Sequence, residues 1–79
     1  MATEDTDRGT FEVNGVELDR EESRKARVLY DYDAESEDEL TIYADQIITV
    51  TPIPGDDDYM MAELEGQFGR IPSTYVELL

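Results

Sequence analysis

The chain has 79 residues, 39% hydrophobic and 34% charged, with a net charge of −15 and neither cysteine nor histidine. That length bounds it to one small domain. The missing thiols exclude a disulfide framework and a thiolate metal site, and the missing imidazole removes the commonest catalytic base.

So much negative charge is repelled by phosphate backbones and anionic headgroups. Neither nucleic acid nor direct membrane contact is expected, and basic partners are favoured through encounter rate and specificity. No apolar run is long enough to cross a bilayer. The opening MATEDTDRGT is polar and acidic and does not read as a secretory signal. The localisation expected from this pattern is cytoplasmic.

In chain order, residues 1–10 are polar, charged and without periodicity, and are expected to be disordered. In residues 11–18, FEVNGVEL, Asn14-Gly15 is the dipeptide that a type I′ hairpin turn prefers. Phe11 and Val13 could then pair with Leu18 and Val16. Against this, Glu12 would face Glu17 across the ladder, and an isolated two-stranded hairpin is marginal in water. The balance favours a linker. Residues 19–25, DREESRK, read as a mixed-charge tether, so residues 1–25 together are expected to be a flexible acidic tail.

From Ala26 an alternation of period two begins: Ala26, Val28 and Tyr30 against Arg27, Leu29 and Asp31. An acidic block follows, and Leu40-Thr41-Ile42 alternates again. Tyr43-Ala44-Asp45-Gln46 is a predicted turn, in which Asp45 can tolerate the left-handed region. Ile47-Ile48-Thr49-Val50 is β-branched throughout and predicts a buried strand. Residues 51–58, with two prolines and a glycine, predict a loop. Tyr59 to Leu64 predicts a strand with Met60, Ala62 and Leu64 on one face and Tyr59, Met61 and Glu63 on the other. Glu65-Gly66-Gln67 is a tight connection to a strand at Phe68–Ile71. Pro72-Ser73-Thr74-Tyr75 ends that strand, and Val76–Leu79 closes the chain.

Five short strands in residues 26–79, with no helical period, predict an all-β fold. A flat sheet this small leaves an apolar face wet, so it must curl into a small barrel or pack as two antiparallel sheets. The expected core is Ala26, Val28, Leu40, Ile42, Ile48, Val50, Ala62, Leu64, Ile71 and Val76.

Three ordered motifs carry a resemblance. Val28-Leu29-Tyr30-Asp31-Tyr32 resembles the Ala-Leu-Tyr-Asp-Tyr opening of Src homology 3 (SH3) domains. The acidic block ending in Glu39-Leu40 resembles their RT loop. Residues 66–76, GQFGRIPSTYV, resemble their closing signature. Within the family, the segments ARVLYDYDA, IITV and YVELL look most like the C-terminal SH3 domain of B-type endophilins, which are BAR-domain membrane-remodelling adaptors. The resemblance implies a five-stranded SH3-type barrel over residues 26–79.

It also implies a peptide groove. Tyr30, Tyr32, Pro72 and Tyr75 would form shallow proline pockets. Glu39, helped by Glu37 and Asp38, would pair with an Arg or Lys of the ligand. Tyr59 stands where the family has its first tryptophan, and Thr74 where it usually has asparagine. These departures remove an indole N–H that meets a ligand carbonyl, and the tyrosine O–H differs in reach.

The physics of such a ligand agrees. A polyproline II peptide is pre-organised, so ordering it costs little, and its rings pack between flat aromatic side chains. A flanking base beside carboxylates adds a charge-assisted pair.

The implied function is an adaptor module for proline-rich, Arg- or Lys-containing motifs, monomeric in isolation, with no catalytic residue, no metal and no cofactor. The setting would be membrane trafficking, endocytosis or signalling, with any membrane contact made by other domains of a parent protein. Two alternatives stay open. One is a reader-like barrel that cages methylated Lys or Arg with Tyr30, Tyr32, Tyr59 and Tyr75. The other is an intramolecular or oligomer-forming domain whose groove is covered by residues 11–18. Glu35 reads as a solvated loop residue, Asp56-Asp57-Asp58 as a solvated turn rather than a calcium loop, and Met60 and Met61 as packing.

Overall fold

The computed structural model describes residues 9–79. The expected disorder at residues 1–10 therefore falls almost wholly outside the described residues. Among the described residues seven strands occur in the order β1 (Thr10–Val13), β2 (Val16–Asp19), β3 (Arg24–Val28), β4 (Ile47–Ile53), β5 (Asp56–Leu64), β6 (Gln67–Pro72) and β7 (Val76–Leu78). Single 3-10 turns stand at Arg20–Glu22 and Ser73–Tyr75, and no α-helix occurs among the described residues. β3 to β7 form one antiparallel sheet in the order β6-β5-β4-β3-β7, and β1-β2 is a separate hairpin. The all-β class expected from the alternation is what the chain adopts.

The sheet curls because its two edges belong to consecutive segments. β6 lies at one edge and β7 at the other, and only the turn Ser73–Tyr75 separates them. The long loop after β3 folds back to close the remaining side. Its far end lies parallel to β6, where Arg70 N donates to Asp38 O at 2.8 Å and Leu40 N to Arg70 O at 3.2 Å. Gly69 makes this approach possible. A Cβ there would stand 2.6 Å from the Glu39 carbonyl carbon and from Leu40 N. A side chain of any size would hold the loop off the strand.

Inside the barrel lie Ala26, Val28, Leu40, Ile42, Ile48, Val50, Ala62 and Ile71. Leu64 and Val76, expected in this core, pack against it but are only half-buried. Leu40–Ile42 is not a strand of the sheet. It is held by the bridges Tyr32↔Ile42 and Glu39↔Arg70 on either side of it.

Two tight turns follow their sequences. Asn14-Gly15 and Glu65-Gly66 both place consecutive residues at positive φ, 52° and 81°, then 54° and 85°. That is the type I′ geometry whose twist suits a hairpin. Asp45 takes φ 75°, as its turn position requires, and its N–H reaches Val28 O at 2.7 Å. Arg27 ties this turn to β7 through Asp45 at 3.0 Å and Glu77 at 3.2 Å. These pairs are exposed, so each contributes at most about 1 kcal/mol.

Two expectations are corrected. Residues 51–58 are not an open loop: β4 runs on to Ile53 and β5 starts at Asp56, leaving only Pro54-Gly55 between them. Proline's fixed φ and Gly55 at φ 81° suit a tight turn, and a register shift at Pro52/Ile53 absorbs the irregularity.

Residues 11–25 are not a linker and tether. β1 and β2 pair in the register Phe11↔Leu18, Glu12↔Glu17 and Val13↔Val16. The next residues make the 3-10 turn capped by Asp19, whose Oδ1 accepts from Glu21 N at 3.0 Å. β3 then begins at Arg24 rather than Ala26. The like-charged pair Glu12/Glu17 does face across the ladder, but it lies exposed on the solvent side. The opposite side is not isolated. It packs on the outer surface of the barrel, where Leu18, Ile53 and Met61 form a second cluster flanked by Phe11, Val13, Val16 and Tyr59. Leu18 is 1% and Met61 2% exposed. Burying one such side chain stabilises by about 1.5–3 kcal/mol, which outweighs a surface repulsion of about 1 kcal/mol or less. Ser23 Oγ and Thr51 Oγ1, 2.7 Å apart, satisfy the polar atoms beneath the strap.

Candidate functional site

The site is assembled where β3 ends. After Val28 the chain leaves the ladder, and Leu29 N donates to Tyr75 O at 2.7 Å. This one bond places the start of the Tyr30-Asp31-Tyr32 segment against the turn Ser73–Tyr75. Period-two parity no longer holds beyond that point, so Tyr30 does not follow Ala26 and Val28 inward. It is 59% exposed. Tyr32 is half-buried and packs on the main core. Its backbone is fixed by a reciprocal pair with Ile42, Tyr32 N to Ile42 O at 2.8 Å and Ile42 N to Tyr32 O at 3.0 Å.

Tyr75 sits between the two. Its ring centroid is 5.6 Å from that of Tyr30 at 78° and 5.5 Å from that of Tyr32 at 79°. Both contacts are edge-to-face, the arrangement aromatic quadrupoles favour. The result is one continuous ledge of three phenols. Pro72 and the exposed Thr74 stand on the same turn as Tyr75. In the β5–β6 ladder Pro72 is opposite Tyr59, so the sheet extends the ledge toward the position where the resemblance expects tryptophan. Ser73 Oγ donates to Asp57 O at 3.0 Å. Asp56 Oδ1 in turn accepts from Tyr59 N at 3.2 Å and Asp58 N at 3.0 Å, which caps the start of this stretch.

The acidic side is built on the loop that closes against β6. Glu37 and Asp38 are exposed there and Glu39 is half-buried. Glu39 Oε1 is engaged within the loop, accepting from Tyr32 Oη at 2.9 Å and from Glu35 N at 2.7 Å. Thr41 Oγ1 accepts from Ala34 N at 3.0 Å and braces the same loop. The Tyr32 hydroxyl is pushed up to about 12. Desolvation is the leading cause, followed by its hydrogen bond to Glu39 and the negative charge of Glu39 and Glu35. Tyr32 therefore stays protonated near neutral pH and holds Glu39 in place.

All nine residues singled out in the sequence are thus located. Tyr30, Tyr32 and Tyr75 are in mutual contact through Tyr75. Pro72 and Thr74 share the turn with Tyr75, and Tyr59 is paired with Pro72. Glu37, Asp38 and Glu39 lie on one loop, tied to the ledge through Tyr32. Sequence reasoning did not foresee two features. Asp57 is drawn to the foot of the Ser73–Tyr75 turn, which needed the unpredicted tight turn at Pro54-Gly55. Tyr59 also joins the outer cluster with Leu18, Ile53 and Met61. Its parity with Met61 was the available signal for that.

A small curled antiparallel barrel whose aromatic ledge runs from an acidic loop onto a 3-10 turn defines the class of small all-β domains with an open surface site. The family model for the variant SH3 domain matches residues 28–77, and the chain belongs to the SH3 family.

Among relatives, endophilin-B1 of Gallus gallus is 59% identical over 58 residues, covering 72% of this chain and 16% of that protein. Endophilin-B1 of Homo sapiens is 55% identical over the same span, and endophilin-B2 of Gallus gallus 52%. The chain thus spans only a small part of these relatives.

Among solved structures, the C-terminal SH3 domain of myosin IB from Entamoeba histolytica, bound to a peptide of EhFP10(GEF), superposes with a TM-score of 0.64 at 34% identity, covering 71% of this chain and 92% of that one. The first SH3 domain of human Rho GTPase-activating protein 10 gives 0.62 at 35% identity, covering 71% and 80%. SH3 domains are non-enzymatic interaction modules that generally bind proline-rich peptides.

Proposed function

We propose that this chain recruits partners by binding proline-rich segments in a polyproline II conformation that carry a flanking Arg or Lys. Tyr30, Tyr32, Pro72 and Tyr75 form the proline-binding ledge, Tyr59 and Thr74 border it, and Glu37, Asp38 and Glu39 attract the base. The observation that carries this reading is the ladder Tyr30–Tyr75–Tyr32, open to solvent at Tyr30 and joined to the acidic loop by the Tyr32–Glu39 bond. Three rings in edge contact make a ledge for an extended ligand, whereas a cage for methylated Lys needs rings disposed around a shared void. The hairpin lies on the outer cluster with Ile53 and Met61, which supports a groove left open rather than covered by residues 11–18.

A contact this shallow corresponds to a Kd of about 1–100 μM. By its likeness to endophilin-B, the protein acts as an adaptor in membrane trafficking or endocytosis, in the cytoplasm, with membrane contact left to other domains. The test is calorimetric titration with a proline-rich peptide bearing one flanking Arg. Tyr75→Ala is expected to weaken binding at least about tenfold. The double variant Glu37→Gln/Asp38→Asn is expected to weaken it and flatten its salt dependence. Equal affinity for a peptide with the Arg replaced by Glu would refute the assigned role of the acids.

A further inference from the structure

The outer cluster and the peptide ledge share one residue. Tyr59 is half-buried and packs on the cluster that Leu18, Ile53 and Met61 form, while its backbone is paired with Pro72 at the ledge. Leu18 comes from the amino-terminal hairpin, which precedes residues 28–77 and so lies outside the part that the family model describes. Without that hairpin, Ile53 and Met61 would lose the Leu18 side chain that covers them, and the cluster on which Tyr59 packs would be incomplete.

We propose that the amino-terminal hairpin is a positioning element of the peptide site: Leu18, packed with Ile53 and Met61, holds the Tyr59 ring in its place beside Pro72, so that hairpin packing is read out as peptide affinity. The proposal rests on the proline-rich reading above.

The physical ground is pre-organisation. A ring free to sample several rotamers must be ordered when a ligand arrives, and that cost is subtracted from affinity. A ring already packed avoids it. Tyr59 has the strongest need of such support, because a single-ring phenol stands where the family carries the larger tryptophan. The hairpin itself is firmly anchored. Phe11 of β1 lies 6.1 Å from Phe68 of β6 and is covered by the Arg20 guanidinium at 4.6 Å, and Leu18 of β2 is buried with Ile53 and Met61, so both its strands reach the barrel.

The experiment compares the full chain with Leu18→Ala, Leu18→Met and Val50→Ala. Val50→Ala removes buried volume from the main core, away from Tyr59. Each is titrated with the Arg-flanked proline-rich peptide well below its unfolding midpoint, and the Tyr59 ring resonances are followed in parallel. Leu18→Ala is expected to weaken binding roughly three- to tenfold and to move the Tyr59 ring signals in the absence of peptide. Leu18→Met, which conserves volume, is expected to restore both. Val50→Ala is expected to leave affinity within about twofold, because Tyr59 keeps its support.

Should Leu18→Ala fail to fold, Leu18→Val supplies a smaller step in the same direction. Unchanged affinity in Leu18→Ala, with Tyr59→Ala still weakening binding, would overturn the coupling and leave the proline-rich reading intact. An equal loss in Val50→Ala would also overturn it, by showing only a general effect of stability. No binding by the wild type would overturn the proline-rich reading itself, and the coupling with it.

Discussion

Gly69→Ala tests how the barrel closes and why the acidic loop is where it is. The added Cβ would lie 2.6 Å from the Glu39 carbonyl carbon, 2.6 Å from Leu40 N and 2.8 Å from Leu40 Cβ. Favourable contact between carbon atoms begins near about 3.5 Å, so strand and loop must part by roughly an ångström. Two of the neighbours are backbone atoms, which cannot rotate away. The separation would break Leu40 N to Arg70 O and Arg70 N to Asp38 O. Each such bond contributes about 0.5–1.5 kcal/mol net, and overpacking adds about 1–3 kcal/mol.

The expected loss is therefore about 2–6 kcal/mol, comparable to the whole stability of a domain this small, about 3–5 kcal/mol. Urea unfolding followed by circular dichroism would show it, with Tm lowered by at least about 8 °C. Amide exchange at Leu40 and Arg70 would quicken, and peptide affinity would fall because Asp38 and Glu39 move with the loop. A variant within about 0.5 kcal/mol of wild type, with both amides still protected, would refute this account of closure.

Two further predictions concern the hairpin and the site. Glu12→Lys puts opposite charges across the Glu12/Glu17 pair. It is expected to stabilise the hairpin by about 0.2–1 kcal/mol, read as slower amide exchange in β1 and β2; faster exchange would contradict the pairing. The Tyr32 hydroxyl, raised from 10.0 to about 12, favours the protonated folded state. Its contribution to stability is fully present below pH 10 and is lost as pH rises through 12. Tyrosinate absorbance should show one ring ionising late, and Tyr32→Phe should abolish that late step; a late step that survives the substitution would reassign it.

Much of this was legible in the sequence, because local rules and the tertiary fold agree over most of residues 26–79. Alternation at Ala26–Val28, the β-branched run Ile47–Val50 and the paired faces of Met60–Leu64 gave strands, and eight of ten expected core residues are buried. The turn at Asp45 and the tight connection at Glu65-Gly66 were readable because few residues accept positive φ, whereas the Asn14-Gly15 signal was outweighed in favour of a linker. The candidate site residues were singled out from the ordered motifs that surround them.

What escaped reading depends on contacts made at long range. A hairpin judged in isolation is marginal, and nothing local says that Leu18 meets Met61. The clue was on the other partner, where Met61 and Ile53 place apolar side chains on the outside of the barrel. The fate of Glu39 was hidden for the same reason. Only the folded loop reveals that its Oε1 is taken by Tyr32 and by Glu35 N.

The central claim is most directly tested by an amide and ring chemical-shift titration with two unlabelled peptides, one proline-rich with a flanking Arg and one carrying methyl-lysine. The account predicts that the first moves Tyr30, Tyr32, Tyr59, Thr74, Tyr75 and residues 37–39 in a saturable manner, while the second moves none of them. Saturable shifts confined to the methyl-lysine peptide, or shifts from the proline-rich one that avoid those phenols, would contradict it.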